Sequence, residues 1–140
     1  REQLASYPEL IAVYHGLWRL TGERQWKDKA LRMVVWYQSK QQKNGAFPYS
    51  PGSTFVYTRG TGKIFETLAC FPEENKAMLE KVFAWLRTMQ YTKENTFFMN
   101  QDEQTLLVGG FRHDAFNREA WIDASAHVIL GATRLLNIQR

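Results

Sequence analysis

Apolar side chains recur at intervals of three and four residues in five separate stretches of this sequence. This spacing constrains the fold more than any other feature. In the second stretch, Ala30, Met33, Val34 and Tyr37 share one face of a helix. The predicted helices cover residues 7–21, 25–43, 61–71, 74–91 and 118–137. The sequence therefore predicts an all-α fold.

The ends of the first helix carry recognisable signals. Ser6 and Glu9 fit a capping box, in which both side chains bond to free amides of the first turn. Gly22 is placed to end the helix in a left-handed conformation. We expect the buried stripe of this helix to consist of Leu10, Val13, Tyr14 and Leu17.

The connections between the predicted helices differ in length. Only a short turn separates the first two helices, so we expect them to pack as an antiparallel hairpin. The connection over residues 92–112 is long, and long ordered connections are often functional. Within it, residues 96–99 and 105–108 are candidates for a short β-ribbon. Asn117 is the expected N-cap of the last helix.

The second and fourth helices resemble each other. Trp36 precedes Gln41 by five residues, and Trp85 precedes Gln90 by the same spacing. Two amphipathic helices can share such spacings by chance, but a repeat of helical hairpins explains them directly. Hairpins repeating about every 50 residues indicate an arrangement around an axis, with each hairpin contacting its neighbours.

A family resemblance follows from these residues. The stretch from Gln41 through Gly45 to Phe47 reads Q-x3-G-x-aromatic, and the stretch from Trp85 to Gln90 reads aromatic-aliphatic-x3-Q. This resembles the repeat of terpenoid cyclases and protein prenyltransferases, which are α/α-toroids. The second copy lacks its glycine and aromatic residue unless Gly110 and Phe111 supply them after an insertion. Six-hairpin glycosidases share the toroid with looser motifs.

The resemblance implies antiparallel hairpins with any ligand site at one end of the central helices. A full toroid takes about six hairpins, whereas these 140 residues hold two hairpins and one further helix. We therefore expect residues 1–140 to be a single helical domain and a segment of a larger toroid, completed by the remainder of a longer chain or by a homo-oligomer. The start at Arg1 rather than Met fits processing from something longer. A small free-standing helical domain is the alternative.

Composition narrows the possible partners. The net charge is +4, and the basic residues are spread rather than gathered on one helix, so we expect no nucleic-acid partner. A single cysteine excludes an intramolecular disulfide and a Cys-rich zinc site. No apolar run approaches 18 residues, so we expect no membrane span. A cytoplasmic and a secreted location both fit this composition.

The last predicted helix carries the strongest catalytic candidates. Its polar residues Glu119, Asp123, His127 and Arg134 fall within a narrow arc, while the other faces are apolar. Such a helix is expected to be buried, with the polar stripe paired internally or facing a cavity. Asp123 and His127 stand at i and i+4, where contact would suit general acid–base work. A structural pair, or a stripe facing solvent, is the alternative.

Further candidates lie outside that helix. Glu66, with either Asp123 or Asp114 opposite it, fits the pair of carboxylates needed for glycoside hydrolysis. Gly109 and Gly110 allow a tight turn close to a ligand. The expected ligand-binding residues are Tyr57, Arg59, Arg112, His113 and Trp121. His113, Asp123 and His127 lack a compact metal signature, so no metal and no cofactor are predicted.

Two kinds of function fit these observations. The first is a toroid enzyme segment that binds or processes a sugar-like small molecule in an aromatic-lined cavity, as a hydrolase, lyase or epimerase. The second is a non-catalytic helical interaction module. A third alternative resembles cyclases or prenyltransferases, but the acid motif Asp-x-Asp-Asp is absent. Cys70 also lacks the Asp-x-Cys context of the prenyltransferase zinc site.

Overall fold

The computed structural model describes residues 3–138 and confirms the all-α prediction. A 3₁₀ turn at Leu4–Ser6 precedes the first helix. The helices are α1 (Glu9–Thr21), α2 (Arg24–Gln38), α3 (Thr58–Leu68), α4 (Pro72–Thr88), α5 (Gln101–Leu107) and α6 (Ile122–Ile138). Within residues 3–138, β-structure is limited to isolated bridges. None of the described helices combines the length and apolarity needed to cross a membrane.

Two helical hairpins form the framework. Gly22 ends α1 in the left-handed conformation (φ +71°), with its N–H donating to the carbonyl of Trp18, as predicted. A similarly short connection, residues 69–71, joins α3 to α4. Connections this short place consecutive helices antiparallel. The helix pairs α1–α2 and α3–α4 are both in contact.

Helices α1, α3 and α6 form one layer in which neighbouring helices run parallel. Arg59 and Asp123, one near the start of α3 and the other near the start of α6, form an ion pair at 2.7 Å. One turn or more further along both helices, Glu66 contacts His127. On the other side of α3, Lys63 pairs with Glu9 of α1. Because α3 contacts both neighbours, it lies in the middle of the layer.

The core lies between this layer and the returning helices α2 and α4. Its fully buried large side chains are Ile11, Val34, Phe47, Ile64, Phe65, Leu68, Val82 and Leu86. At the α3–α6 contact, Gly62 lies against Val128 and Gly131 lies against the ring of Phe65. The two glycines allow the helix axes to approach closely, because neither presents a side chain at the contact.

The internal repeat is present in the structure, in a more exact form than the sequence indicated. Gly45 and Gly109 both have φ +95°, and they lie 64 residues apart. The side chain of Gln41 donates to the carbonyl of Gly45 at 3.0 Å, and that of Gln90 donates to the carbonyl of Gly109 at 3.2 Å. The glycine of the second copy is therefore Gly109 rather than Gly110.

The same spacing of 64 residues continues into the helices that follow. The amide of Phe47 donates to the hydroxyl of Thr61, and the amide of Phe111 donates to that of Ser125, both at 3.2 Å. The bridge between residues 48 and 56 recurs between residues 112 and 120. Residues 45–68 and 109–132 are therefore two copies of one unit, and α5 lies in the insertion between Gln90 and Gly109.

Several predicted helix ends were wrong for identifiable reasons. The capping box does not form: Pro8 is the N-cap of α1 without a side-chain bond, because the preceding 3₁₀ turn redirects the chain. As a result α1 buries Ile11, whereas Leu10 and Val13 are exposed. Helix α2 ends at Gln38 rather than near residue 43, because the following residues form the turn around Gly45.

The long connection also differs from its prediction. Residues 101–107 form α5 instead of the second half of a β-ribbon, because the side chain of Asn100 caps the helix by accepting from the amide of Glu103 at 2.9 Å. Asn117 does not cap α6. Its side chain accepts from the amide of Glu119 in a local turn, and α6 begins only at Ile122.

Candidate functional site

The candidate residues fall into two groups along the α3–α6 contact. The first group, which we call the N-terminal cluster, lies where α3 and α6 begin and consists of Tyr57, Arg59, His113, Asp114, Trp121 and Asp123. The second group lies deeper along the same helices and consists of Glu66, His127 and Arg134. Arg112 joins neither group, because its guanidinium donates to the carbonyl of Thr88 at 2.9 Å.

A row of aromatic rings runs across the N-terminal cluster. The ring of His113 lies 4.2 Å from that of Trp121 and 5.9 Å from that of Tyr57, and Phe55 stacks on Tyr57 at 5.9 Å. We call these four residues the aromatic ledge. Tyr57 is buried, whereas Trp121 is 38% and Phe55 is 42% exposed. The ledge therefore has two accessible rings joined by two that support them.

The repeat explains why the ledge forms. Tyr57 and Trp121 occupy equivalent positions, each just before a helix of the α1–α3–α6 layer. The backbone amide of Thr58 donates to the carbonyl of His113 at 2.7 Å, and its hydroxyl donates to the carbonyl of Arg112 at 2.6 Å. These bonds fasten the loop before α6 to the start of α3. The 64-residue spacing between Tyr57 and Trp121 was present in the sequence, but the insertion holding α5 obscured it.

Arg59 and Asp123 form a half-exposed ion pair beside the ledge, with Nε and Oδ2 2.7 Å apart. The partial positive charge of a helix N-terminus favours the Asp123 carboxylate and disfavours the Arg59 guanidinium. Pairing across the two helices offsets that cost for Arg59. Asp123 therefore pairs with Arg59 of α3, and His127 pairs with Glu66 of the same helix. The predicted contact of Asp123 with His127 was wrong because both side chains turn towards α3.

Asp114 holds the loop beneath the ledge. Its Oδ2 lies 2.8 Å from Nδ1 of His113, while its Oδ1 accepts from the amides of Phe116 and Asn117. Burial alone would raise the pKa of Asp114, but the hydrogen bonds from Asn117, His113 and Phe116 outweigh it, so the pKa lies below its ordinary value. The ionised carboxylate accepts a hydrogen bond from the Nδ1–H group of His113, which leaves Nε2 as the other polar atom of that ring.

Glu66 is the centre of the second group. One carboxylate oxygen lies 2.7 Å from Nδ1 of His127, and the other lies 3.1 Å from a guanidinium nitrogen of Arg134. Arg134 also donates to the backbone carbonyl of Glu66 at 2.7 Å. The Glu66 side chain is only 14% exposed and both its oxygens are engaged. These contacts hold α6 against α3 and give the side chains of His127 and Arg134, two polar residues of α6, a partner on α3.

In the connection that follows α3, Cys70 lies close to Arg134, with Sγ 3.7 Å from a guanidinium nitrogen. Burial raises the pKa of the Cys70 thiol. The nearby charge of Arg134 lowers it and that of Glu66 raises it, with smaller effects. The thiol is thus protonated at neutral pH and is a weak nucleophile.

Two open concavities lie away from the N-terminal cluster. One, of about 560 Å³, lies beside Cys70 and is lined by His15, Trp18, Phe71 and Arg134. Burial lowers the pKa of His15, and the positive charges of Arg19 and Arg134 lower it further. His15 was not a sequence candidate, because no motif surrounds it. The other concavity, of about 510 Å³, is lined by residues of α1, α2 and the segment before α1, including Trp36.

Comparisons of the chain with protein-family models, with curated proteins and with solved structures found no match. Among residues 3–138, no three His, Cys, Asp or Glu side chains gather into a group that could hold a metal ion. The functional interpretation therefore depends on the geometry of the site.

Proposed function

We propose that this chain is a segment of an α/α-toroid and binds a carbohydrate-type ligand at the aromatic ledge. The observation that carries the proposal is the accessible ring of Trp121, supported from behind by His113 at 4.2 Å and followed two residues later by the half-exposed carboxylate of Asp123. The ligand site then lies at one end of the α1–α3–α6 layer.

The chemistry of the ledge matches a sugar ring. The C–H face of a pyranose packs on an aromatic ring, and its hydroxyls bond to charged side chains that fix its orientation. Trp121 and Phe55 supply the accessible rings. Asp123 accepts from hydroxyls and Arg59 donates to hydroxyl or carboxylate oxygens. Because Asp123 and Arg59 are already paired, they are held in place before a ligand arrives, which reduces the ordering cost of binding.

The toroid part of the proposal draws support from three features. The helices α1, α3 and α6 run parallel in one layer, α2 and α4 return in the opposite direction, and the hairpin unit repeats. The Q-x3-G-x-aromatic pattern also has a physical role, because the Gln41 side chain bonds both to the turn at Gly45 and to the carbonyl of Met78 in the next hairpin. The first hairpin is thereby joined to the second.

Binding is better supported than catalysis by these residues. Glycoside hydrolysis needs one carboxyl group that can donate a proton and a second carboxylate that acts on the sugar. Both oxygens of Glu66 are engaged, and the pKa of Asp114 is held low by its hydrogen bonds. Of these three carboxylates, Asp123 has the most exposed side chain. A hydrolase, lyase or epimerase activity would need a second acid beside it.

Ligand binding can be tested by saturation-transfer NMR and tryptophan fluorescence with a panel of neutral and uronic-acid oligosaccharides. We expect Trp121→Ala to weaken binding at least tenfold and Asp123→Asn to weaken it less, because stacking supplies most of the contact area. Trp36→Ala is the matched control, since Trp36 is an exposed tryptophan on α2. Binding lost in Trp36→Ala but kept in Trp121→Ala would move the ligand to the α1–α2 concavity and refute the proposal.

A further inference from the structure

The two copies of the repeat are covered unequally. In the first copy, Gly45 is buried against α4, and a Cβ atom added there would lie 2.1 Å from the carbonyl oxygen of Lys81. Gly109 has the same φ of +95° in the second copy, yet it is exposed and no heavy atom of the described residues lies within 4 Å of the equivalent Cβ position. The second copy therefore lacks the neighbour that α4 provides for the first.

The glutamines show the same difference. The side chain of Gln41 donates to the carbonyl of Gly45 at 3.0 Å and to the carbonyl of Met78 in α4 at 3.1 Å. The side chain of Gln90 donates to Gly109 at 3.2 Å, but to no helix carbonyl among the described residues. One amide proton of Gln90 thus remains available for a helix in the position that α4 takes on the first copy.

A groove lies at this place between α4 and α6. It has a volume of about 300 Å³, and its lining residues are Phe83, Arg87, Gln90, Gly109, Phe111, Val128, Ile129 and Ala132. We call it the α4–α6 groove. Phe65, the equivalent of Ile129, is fully buried, whereas Ile129 is 58% exposed. Val34 is buried in α2, whereas Phe83 at the matching position of α4 is 41% exposed.

We propose that the α4–α6 groove is the docking site of one amphipathic helix supplied from outside these 140 residues. The helix runs antiparallel to α6, as α4 runs antiparallel to α3. It places a backbone carbonyl over Gly109, as Lys81 does over Gly45, and accepts from the side chain of Gln90. Its apolar face carries residues at the spacing of Leu79, Val82 and Leu86, which are among the buried apolar residues of α4.

The geometry favours a single helix over a second copy of this chain. A second copy offers α2 as its counterpart of α4, but α2 is packed in a hairpin with α1. If the α1–α2 hairpin of a second copy docked on the second repeat in the way that the α3–α4 hairpin docks on the first, the α1 helix of that copy would occupy the position of α6. A lone helix meets no such obstacle, because α6 supplies the other half of the hairpin. This argument is independent of the carbohydrate proposal.

A tethered helix tests the proposal at high effective concentration. The probe is a copy of residues 72–88, the sequence of α4, joined after Arg140 of the full chain by a flexible Gly/Ser linker. The matched control carries Glu in place of the two residues of the appended copy that correspond to Leu79 and Val82. Two variants of the chain itself complete the set: Ile129→Glu in the groove, and Leu20→Glu on α1, where the side chain is 85% exposed.

We expect the appended helix to raise the Tm by about 4 °C or more, and the Glu-containing helix to leave the Tm unchanged. Ile129→Glu should remove the gain, while Leu20→Glu should preserve it. The proposal is overturned if the appended helix gives no gain, or if the gain survives Ile129→Glu. It is also overturned if the 140-residue chain sediments as a dimer that Ile129→Glu converts to a monomer, because the occupant is then a second copy.

Discussion

Replacing Gly131 by alanine tests the close contact between α3 and α6. An added Cβ would lie 2.5 and 2.7 Å from two ring carbons of Phe65 and 3.1 Å from the Cα of Glu66, whereas carbon atoms in contact prefer about 3.5–4.0 Å. Phe65 is fully buried in the core, so moving its ring would displace other core side chains. The helices must therefore separate, and the 2.7 Å contact between Glu66 and His127 must lengthen.

The magnitude follows from two opposing effects. Overpacking a filled core costs about 1–3 kcal/mol, and forced separation of two helices belongs at the upper end of that range. Alanine gains about 1 kcal/mol over glycine in a helix interior. We therefore expect Gly131→Ala to lower the free energy of unfolding by about 2 kcal/mol, which corresponds to a fall in Tm of about 6 °C for a chain of this size.

Gly16 provides the matched control. It lies inside α1, and apart from the backbone of α1 itself no heavy atom of residues 3–138 lies within 4 Å of its Cβ position. Gly16→Ala should keep the helix gain without the clash, so we expect it to raise the free energy of unfolding by about 0.5–1 kcal/mol. Urea denaturation and calorimetry of both variants measure the difference directly. If Gly131→Ala is as stable as Gly16→Ala, the α3–α6 contact is looser than described and the reasoning fails.

Three further predictions follow from the same structure. Gly45→Ala should destabilise the protein by at least about 2 kcal/mol more than Gly109→Ala in chemical denaturation. Both glycines have positive φ, but within the described part of the chain Gly45 lies against a helix carbonyl and Gly109 does not. Tyr37→Phe should cost about 1–2 kcal/mol, since the buried hydroxyl of Tyr37 donates to the carbonyl of Leu4 at 2.8 Å. Burial raises the pKa of Tyr37 in the folded state. The stability that the neutral Tyr37 hydroxyl contributes is therefore fully present below the unfolded-state pKa of about 10, and it is lost as the pH rises above that value. The phenylalanine variant should lose less stability than the original protein above about pH 10. Cys70 should react with iodoacetamide at pH 7 more slowly than free cysteine, because burial raises the pKa of its thiol. Mass spectrometry measures the rate, and a rate equal to that of free cysteine would contradict the prediction.

Helix positions could be predicted from sequence because apolar spacing is a local property. The stripe of α2 was identified correctly: Ala30, Val34 and Tyr37 are buried. The stripe of α1 was misplaced, because Leu4 bonds to the distant carbonyl of Tyr49 and so fixes where the chain enters the helix. Contacts between residues far apart in sequence decide such boundaries, and a single sequence does not reveal them.

The candidate site shows the same limit. Sequence spacing brought Asp123 and His127 together on one face, and they do share that face. Their partners, Arg59 and Glu66, belong to another helix, and pairing them required the parallel register of α3 and α6. The register can be read from the 64-residue spacing of the repeat once the insertion holding α5 is recognised.

The repeat also explains why α6 is apolar on faces that the described residues leave open. In an array of repeated hairpins, each helix of the layer contacts another layer helix on either side and a returning helix behind it. The middle helix, α3, has all these neighbours, and Phe65 is buried as a result. Helix α6 has α3 on one side, where His127 and Arg134 pair with Glu66, and Ile129 is exposed on the side of α6 that lines the α4–α6 groove. The polar stripe and the exposed apolar face of α6 are therefore two consequences of its single position at the edge of the layer.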